Sequence, residues 1–139
     1  MAAKQKKSSV IVGERKMSKA IATVKPGKGI IRINGSPIDT VDDEMLRLMM
    51  EEPLTIAGDA AKQVDIDITV KGGGPVGRTE AIRQVIALGI LKITKNKELH
   101  RMFEMHDRNM LVSDPRRTEP HKPSRSSAGP RRHKQRSKR

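Results

Sequence analysis

The sequence predicts an α+β layer: a mainly antiparallel sheet with helices packed on one face, continued by an extended basic C-terminal tail. Three observations carry this. In "QVDIDITVK" (63–71), Val64, Ile66, Ile68 and Val70 alternate with Asp65, Asp67, Thr69 and Lys71, the period of a strand with one wet face. Over 76–92 the apolar residues Ala81, Ile82, Val85, Ile86, Gly89 and Ile90 recur at helical spacing, with Arg83 and Gln84 on the opposite face. After Leu111-Val112 the apolar content stops.

The remaining elements follow in chain order. "SKAIATVKPGKGIIRING" predicts strands over 18–25 and 29–34, joined as a hairpin by "PGKG". Asn34-Gly35 marks a second turn, and Pro37 interrupts the strand pattern. In "TVDDEMLRLMMEEP", Thr40 with Asp43 resembles a capping box, acids fill the first turn and Pro53 stops the run, which predicts a helix over 41–51. A last helix opens at Asn96 as N-cap and carries Leu99, Met102 and Phe103 on one stripe to 106. The chain therefore divides into a basic N-terminal arm (1–9), a globular unit (10–112) and a basic tail (113–139).

Charge narrows the function. Residues 113–139 hold ten Lys or Arg against two acids, a net +8 of the chain's +13, and Ala128 alone from the apolar set. Such a segment cannot bury enough surface to offset its own ordering entropy, so it is expected to be disordered until a polyanion orders it. Self-repulsion extends it, and at about 3.3 Å per residue its last eleven residues, from Gly129, would reach roughly 35 Å. A sequence pI near 10.5 with charge clustered at both ends points to nucleic acid before an acidic membrane surface. "VIALGIL" (85–91) is too short to span a bilayer, and "VIV" (10–12) is too short for a signal peptide.

With no cysteine there is no disulfide, thiolate metal site or thiol nucleophile. With no Trp, no Tyr and a single Phe, there is no platform on which to stack single-stranded bases. Binding to nucleic acid would run through phosphate, sugar, shape and arginine.

"GGGPVGRT" stands one substitution from a Walker A phosphate loop, with Arg78 at the lysine position. The strand before it alternates with two aspartates, whereas P-loop strands lie in covered parallel sheets and read as continuous apolar runs. Three glycines at a helix start make a tight turn and can also admit an RNA phosphate to free N–H groups. A degenerate P-loop nucleotide-binding protein and a free nucleic-acid-compacting protein are the two alternatives. The pairs Asp65/Asp67, Asp42/Asp43 and Glu51/Glu52 are explained as a solvated strand face, a helix start and a helix end. His100 and His106 do not share a helical face, and His121 and His133 lie in the tail, so neither metal nor cofactor is expected.

"VKGGGPVGRTEAIRQVIALGI" closely resembles the signature of the ribosomal protein S-nine family of the small subunit, with its glycine triplet and its Ala-Ile-Arg in the helix. "GERKMSKAIATVKPGKGIIRING" is similar to that family's first hairpin, "DPRRTEPHKP" to its linker, and "QRSKR" to its ending. The chain departs at Arg78, where the family usually has Gln, at Val85, usually a small residue, and at Leu88, usually Lys or Arg. The opening "SSVIVGERKMSKA" resembles the archaeal and eukaryotic cytosolic branch, whereas Lys138 looks bacterial, and the archaeal branch is the reading taken.

The resemblance implies a non-enzymatic constituent of the small-subunit head with the fold of the second domain of ribosomal protein S-five, located on cytoplasmic ribosomes. Its implied partners are ribosomal RNA, neighbouring head proteins and tRNA in the peptidyl site. The residues expected to meet ribosomal RNA are Arg15, Lys16, Lys19, Gly72, Gly73, Gly74, Arg78, Arg83, Arg116, Arg117, Lys122, Arg125, Arg131, Arg132 and Lys134. By position in the family's ending, Arg136, Lys138 and Arg139 would touch tRNA.

Overall fold

The computed structural model describes residues 8–120. Strands β1 (Ser9–Arg15), β2 (Ser18–Pro26), β3 (Ile31–Ile33) and β4 (Ser36–Pro37) precede helix α1 (Glu44–Ala57); β5 (Val64–Lys71), α2 (Pro75–Thr94) and α3 (Lys97–His106) follow. The five strands form one sheet in the order β1-β2-β5-β3-β4, antiparallel except where β3 runs parallel to β5. The expected α+β layer is the observed one.

The hairpin is not the one the sequence predicts. β2 pairs with β1, from Ser9 opposite Val24 to Arg15 opposite Ser18, and β5 lies between β2 and β3. The "PGKG" segment is a crossover passing the start of β5. Gly27 N–H donates to the Gln63 carbonyl at 2.9 Å, and Ile66 N–H to the Ile30 carbonyl at 2.9 Å. Asp65 accepts from the N–H groups of Lys28 at 2.7 Å and Ile30 at 3.0 Å, so this carboxylate fastens the crossover and does not simply face solvent. The Asn34-Gly35 turn forms as expected, with φ of 50° and 88°, the two positive values a tight primed turn requires. Asn34 also ties the turn to β5, accepting from Val70 N–H at 3.0 Å.

Helix α1 starts later and ends later than expected. Asp43 is the N-cap, accepting from Met45 and Leu46 N–H at 3.0 and 3.3 Å, while the Thr40 hydroxyl donates to the Pro37 carbonyl at 2.7 Å. Pro53 does not stop the helix; it is buried, and packing of α1 on α2 outweighs the one hydrogen bond that proline removes. Gly58 at φ 54° ends the helix instead. In the exposed turn that follows, a 2.7 Å bond from Lys62 holds the Asp59 carboxyl below its ordinary value.

Helix α2 is the centre of the core. Ala81, Ile82, Val85, Ile86, Gly89 and Ile90 are buried against the sheet as the period predicts. Its opposite side is not open to water: Gln84 is buried against β1 and Ser113, and Arg83 is mostly buried between Glu52 of α1 and Asp107 at the end of α3. On α3, Asn96 caps as expected, accepting from Glu98 N–H at 2.9 Å. Leu99 and Phe103 are buried, but Met102 is half exposed, because the stripe runs from i to i+4 and then on to Met110. No helix among the described residues is long and apolar enough to cross a membrane.

The side chains of Ala20, Ala22, Val24, Ile66, Ile68 and Val70 face the helices, and among the described residues no helix covers the other sheet face. Phe103, the chain's single aromatic residue, is fully buried. Its replacement by Ala should therefore leave a cavity that costs about 3–5 kcal/mol, read as a lower urea midpoint with unchanged slope.

Candidate nucleic-acid interface

Three segments far apart in sequence meet at one end of the sheet: the β1–β2 turn, the glycine loop between β5 and α2, and residues 113–118. The register of β1 with β2 and of β2 with β5 brings the first two together, placing Lys19 opposite Lys71. In the glycine loop, Gly72 and Gly73 have φ of 77° and 64°. A Cβ on Gly72 would strike the Met17 carbonyl, and one on Gly73 the Ser18 hydroxyl, so the loop can lie against the turn only as glycine. The Ser18 hydroxyl donates to the Gly72 carbonyl at 3.2 Å.

The expected likeness to a P-loop ends here. β5 has an exposed face and an antiparallel neighbour in β2. Arg78, at the lysine position, turns back and donates its Nε to the Gly72 carbonyl at 2.9 Å. Gly74 caps α2 without a side-chain bond, and no acid stands in the helix's first turn.

The segment after Val112 is fastened to the folded unit through Arg117, beyond the expected edge at Val112. Gln84 Nε2 donates to the Ser113 hydroxyl at 3.2 Å, and Gln84 Oε1 accepts from Glu14 N–H at 3.1 Å. Asp114 is buried, ion-paired to Arg15, and accepts from Arg116 N–H at 2.9 Å and from Arg116 Nη2 at 2.7 Å. Arg15 also pairs with Glu80 on α2. Arg117 then reaches Glu14 at 2.7 Å. Arg15 belongs to the helix side of β1 and Glu14 to the outer side, so these few residues turn round the end of the edge strand.

The residues expected to contact RNA thus fall into distinct groups. Lys16, Lys19, Gly72, Gly73, Gly74, Arg78, Arg116 and Arg117 converge at this end and are exposed. Arg15 sits beneath them, with 16% of its side chain exposed and engaged by Glu80 and Asp114. Arg83 stands on the helix side, held by Glu52 at 2.6 Å and Asp107 at 2.7 Å, and joins α1, α2 and the end of α3. His106 bonds the same Glu52, so the expectation that Glu52 merely ends a helix does not hold. Lys122, Arg125, Arg131, Arg132, Lys134, Arg136, Lys138 and Arg139 lie outside the described residues. Sequence reasoning missed Lys71, which only the strand register brings to Lys19, and the carboxylates Glu14, Glu80 and Asp114 that engage the arginines. Among the described residues, no group of three His, Asp or Glu could hold a metal ion.

The profile of the ribosomal protein S9/S16 family matches residues 13–139. The chain belongs to that family. Its relatives include the small ribosomal subunit protein uS9 of Methanococcus maripaludis strain C5, 45% identical over 126 residues that cover 91% of this chain and 94% of the relative. The uS9 proteins of Methanococcus vannielii and Pyrobaculum aerophilum are each 44% identical, covering 91% and 90% of this chain and 94% and 88% of their own. These relatives are archaeal, in line with the branch read from the opening residues. They are named as ribosomal proteins, and the chain is not an enzyme.

Removing the Asp114 carboxylate leaves the mostly buried Arg15 with one partner instead of two. Asp114→Ala should cost about 3 kcal/mol of stability. Hydrogen exchange should then show the Arg116 amide losing protection before the amides of β5 do.

Proposed function

We propose that this chain is a structural component of the small ribosomal subunit, working on cytoplasmic ribosomes, whose basic end docks on ribosomal RNA beside neighbouring head proteins. The observation that carries the RNA reading is the convergence of Lys16, Lys19, Lys71 and Arg78 with Arg116 and Arg117 from three separate segments. Membership of the family and the names of the uS9 relatives support the subunit. The composition supports contact through the RNA backbone, because the one aromatic residue is buried and cannot stack a base.

In this reading Lys122, Arg125, Arg131, Arg132 and Lys134 continue the phosphate contacts along the RNA, and the terminal Arg136, Lys138 and Arg139 reach tRNA in the peptidyl site. The support is the tail's composition and the likeness of its ending to the family's. Eight Lys or Arg and no acid over 121–139 suit a polyanion partner.

Co-sedimentation with small subunits through a salt series tests the subunit reading. A subunit protein stays at stoichiometric occupancy after a wash that strips non-specific polyanion binders, whereas a free compacting protein leaves with them. Deletion of 136–139 tests the terminus. Subunit assembly should persist while tRNA binds less tightly in the peptidyl site; failed assembly with unchanged tRNA affinity would contradict the assignment.

A further inference from the structure

The face of the sheet turned away from the helices carries charges in an order that its register makes legible. Lys25 stands opposite Asp65, Arg32 opposite Asp67 and Glu14 opposite Lys19, each a pairing of unlike charges. Lys19 opposite Lys71 breaks the rule. Both lysines are exposed, and directly opposed side chains on one sheet face have Cβ atoms about 4.5–5.5 Å apart, where like charges destabilise the pairing. Glu14 would be the counter-charge, but Arg117 occupies its carboxylate at 2.7 Å. Glu80 and Asp114 are likewise held by Arg15 and Arg116. Among the described residues, no ion pair engages Lys16, Lys19 or Lys71.

An opposition that costs the free protein stability is compensated when an anion bridges it. We propose that Lys19 and Lys71 form a clamp for the sugar–phosphate backbone of RNA on the outer face of the sheet. The chemistry favours phosphate over bases: the next side chains on that face are Ile21 and Thr69, which offer no stacking surface, and an ammonium is a point charge with rotatable donors. The inference rests on the reading of the chain as a ribosomal RNA-binding protein.

The test uses the full chain, its Lys19→Ala, Lys71→Ala, double and Lys71→Glu variants, and protein-free small-subunit ribosomal RNA titrated at several potassium chloride concentrations. Each alanine should lower the slope of log affinity against log salt by about 0.7–0.9, and the double variant by about 1.4–1.8. In the absence of RNA, Lys71→Glu should raise Tm by about 1–3 °C, because unlike charges then face each other. A double variant with the wild-type slope and affinity overturns the clamp. So does a double variant that binds RNA normally but loses a neighbouring protein, which would make the face a protein contact. If the wild type itself fails to saturate the RNA, the subunit reading fails and the clamp falls with it.

Discussion

The carboxylate of Asp114 is the constraint on which this end of the molecule depends. A buried carboxylate persists only when its lost hydration is replaced, and here Arg15, the Arg116 amide and the Arg116 guanidinium replace it. That arrangement draws Arg15 to the helix side of β1, where it also meets Glu80. It brings the chain round the end of the edge strand, so that Arg117 arrives at Glu14 on the other face. Covering an edge strand's end with a loop also protects it against pairing with a second chain. The direction in which the basic segment leaves the folded unit is thereby set by a residue within the unit.

A division of labour between the two basic residues follows. Arginine's planar fork suits a mostly buried pair with two carboxylates, and Arg15 and Arg83 each hold two of them. Lysine is strongly hydrated and remains outside, at 16, 19 and 71. Because arginines engage Glu14, Glu80 and Asp114, the lysines and Arg78 keep their charge uncompensated, and the positive field at this end belongs to them. Counting basic residues along the chain cannot separate the two roles.

What could be read in advance was local. The alternation of β5, the period of α2, the Asn96 cap and the Asn34-Gly35 turn each lie within a few residues, and each formed. What escaped was long-range. The "PGKG" segment has hairpin chemistry, yet the Asp65 carboxylate, 35 and 37 residues from its partners, makes it a crossover. Pro53 ends a helix by local rules and sits buried inside one, in a helix held by its packing on α2. Gln84 and Arg83 lie on the polar side of α2, and their burial depends on β1 and Ser113 for the one and on α1 and the end of α3 for the other, which a helical period cannot reveal. At the interface the same limit applied: Lys16, Lys19 and the glycines were legible, whereas Lys71 needed the strand register.

The central claim is that lysines left uncompensated by the arginine network meet the polyanion. Quantitative lysine acetylation, read by mass spectrometry on the free chain and on small subunits assembled with it, addresses this residue by residue. Lys16, Lys19 and Lys71 should lose reactivity on assembly, while Lys62, paired with Asp59 at the far end of β5, changes little. Equal reactivity of Lys16, Lys19 and Lys71 in the free and assembled states would contradict it.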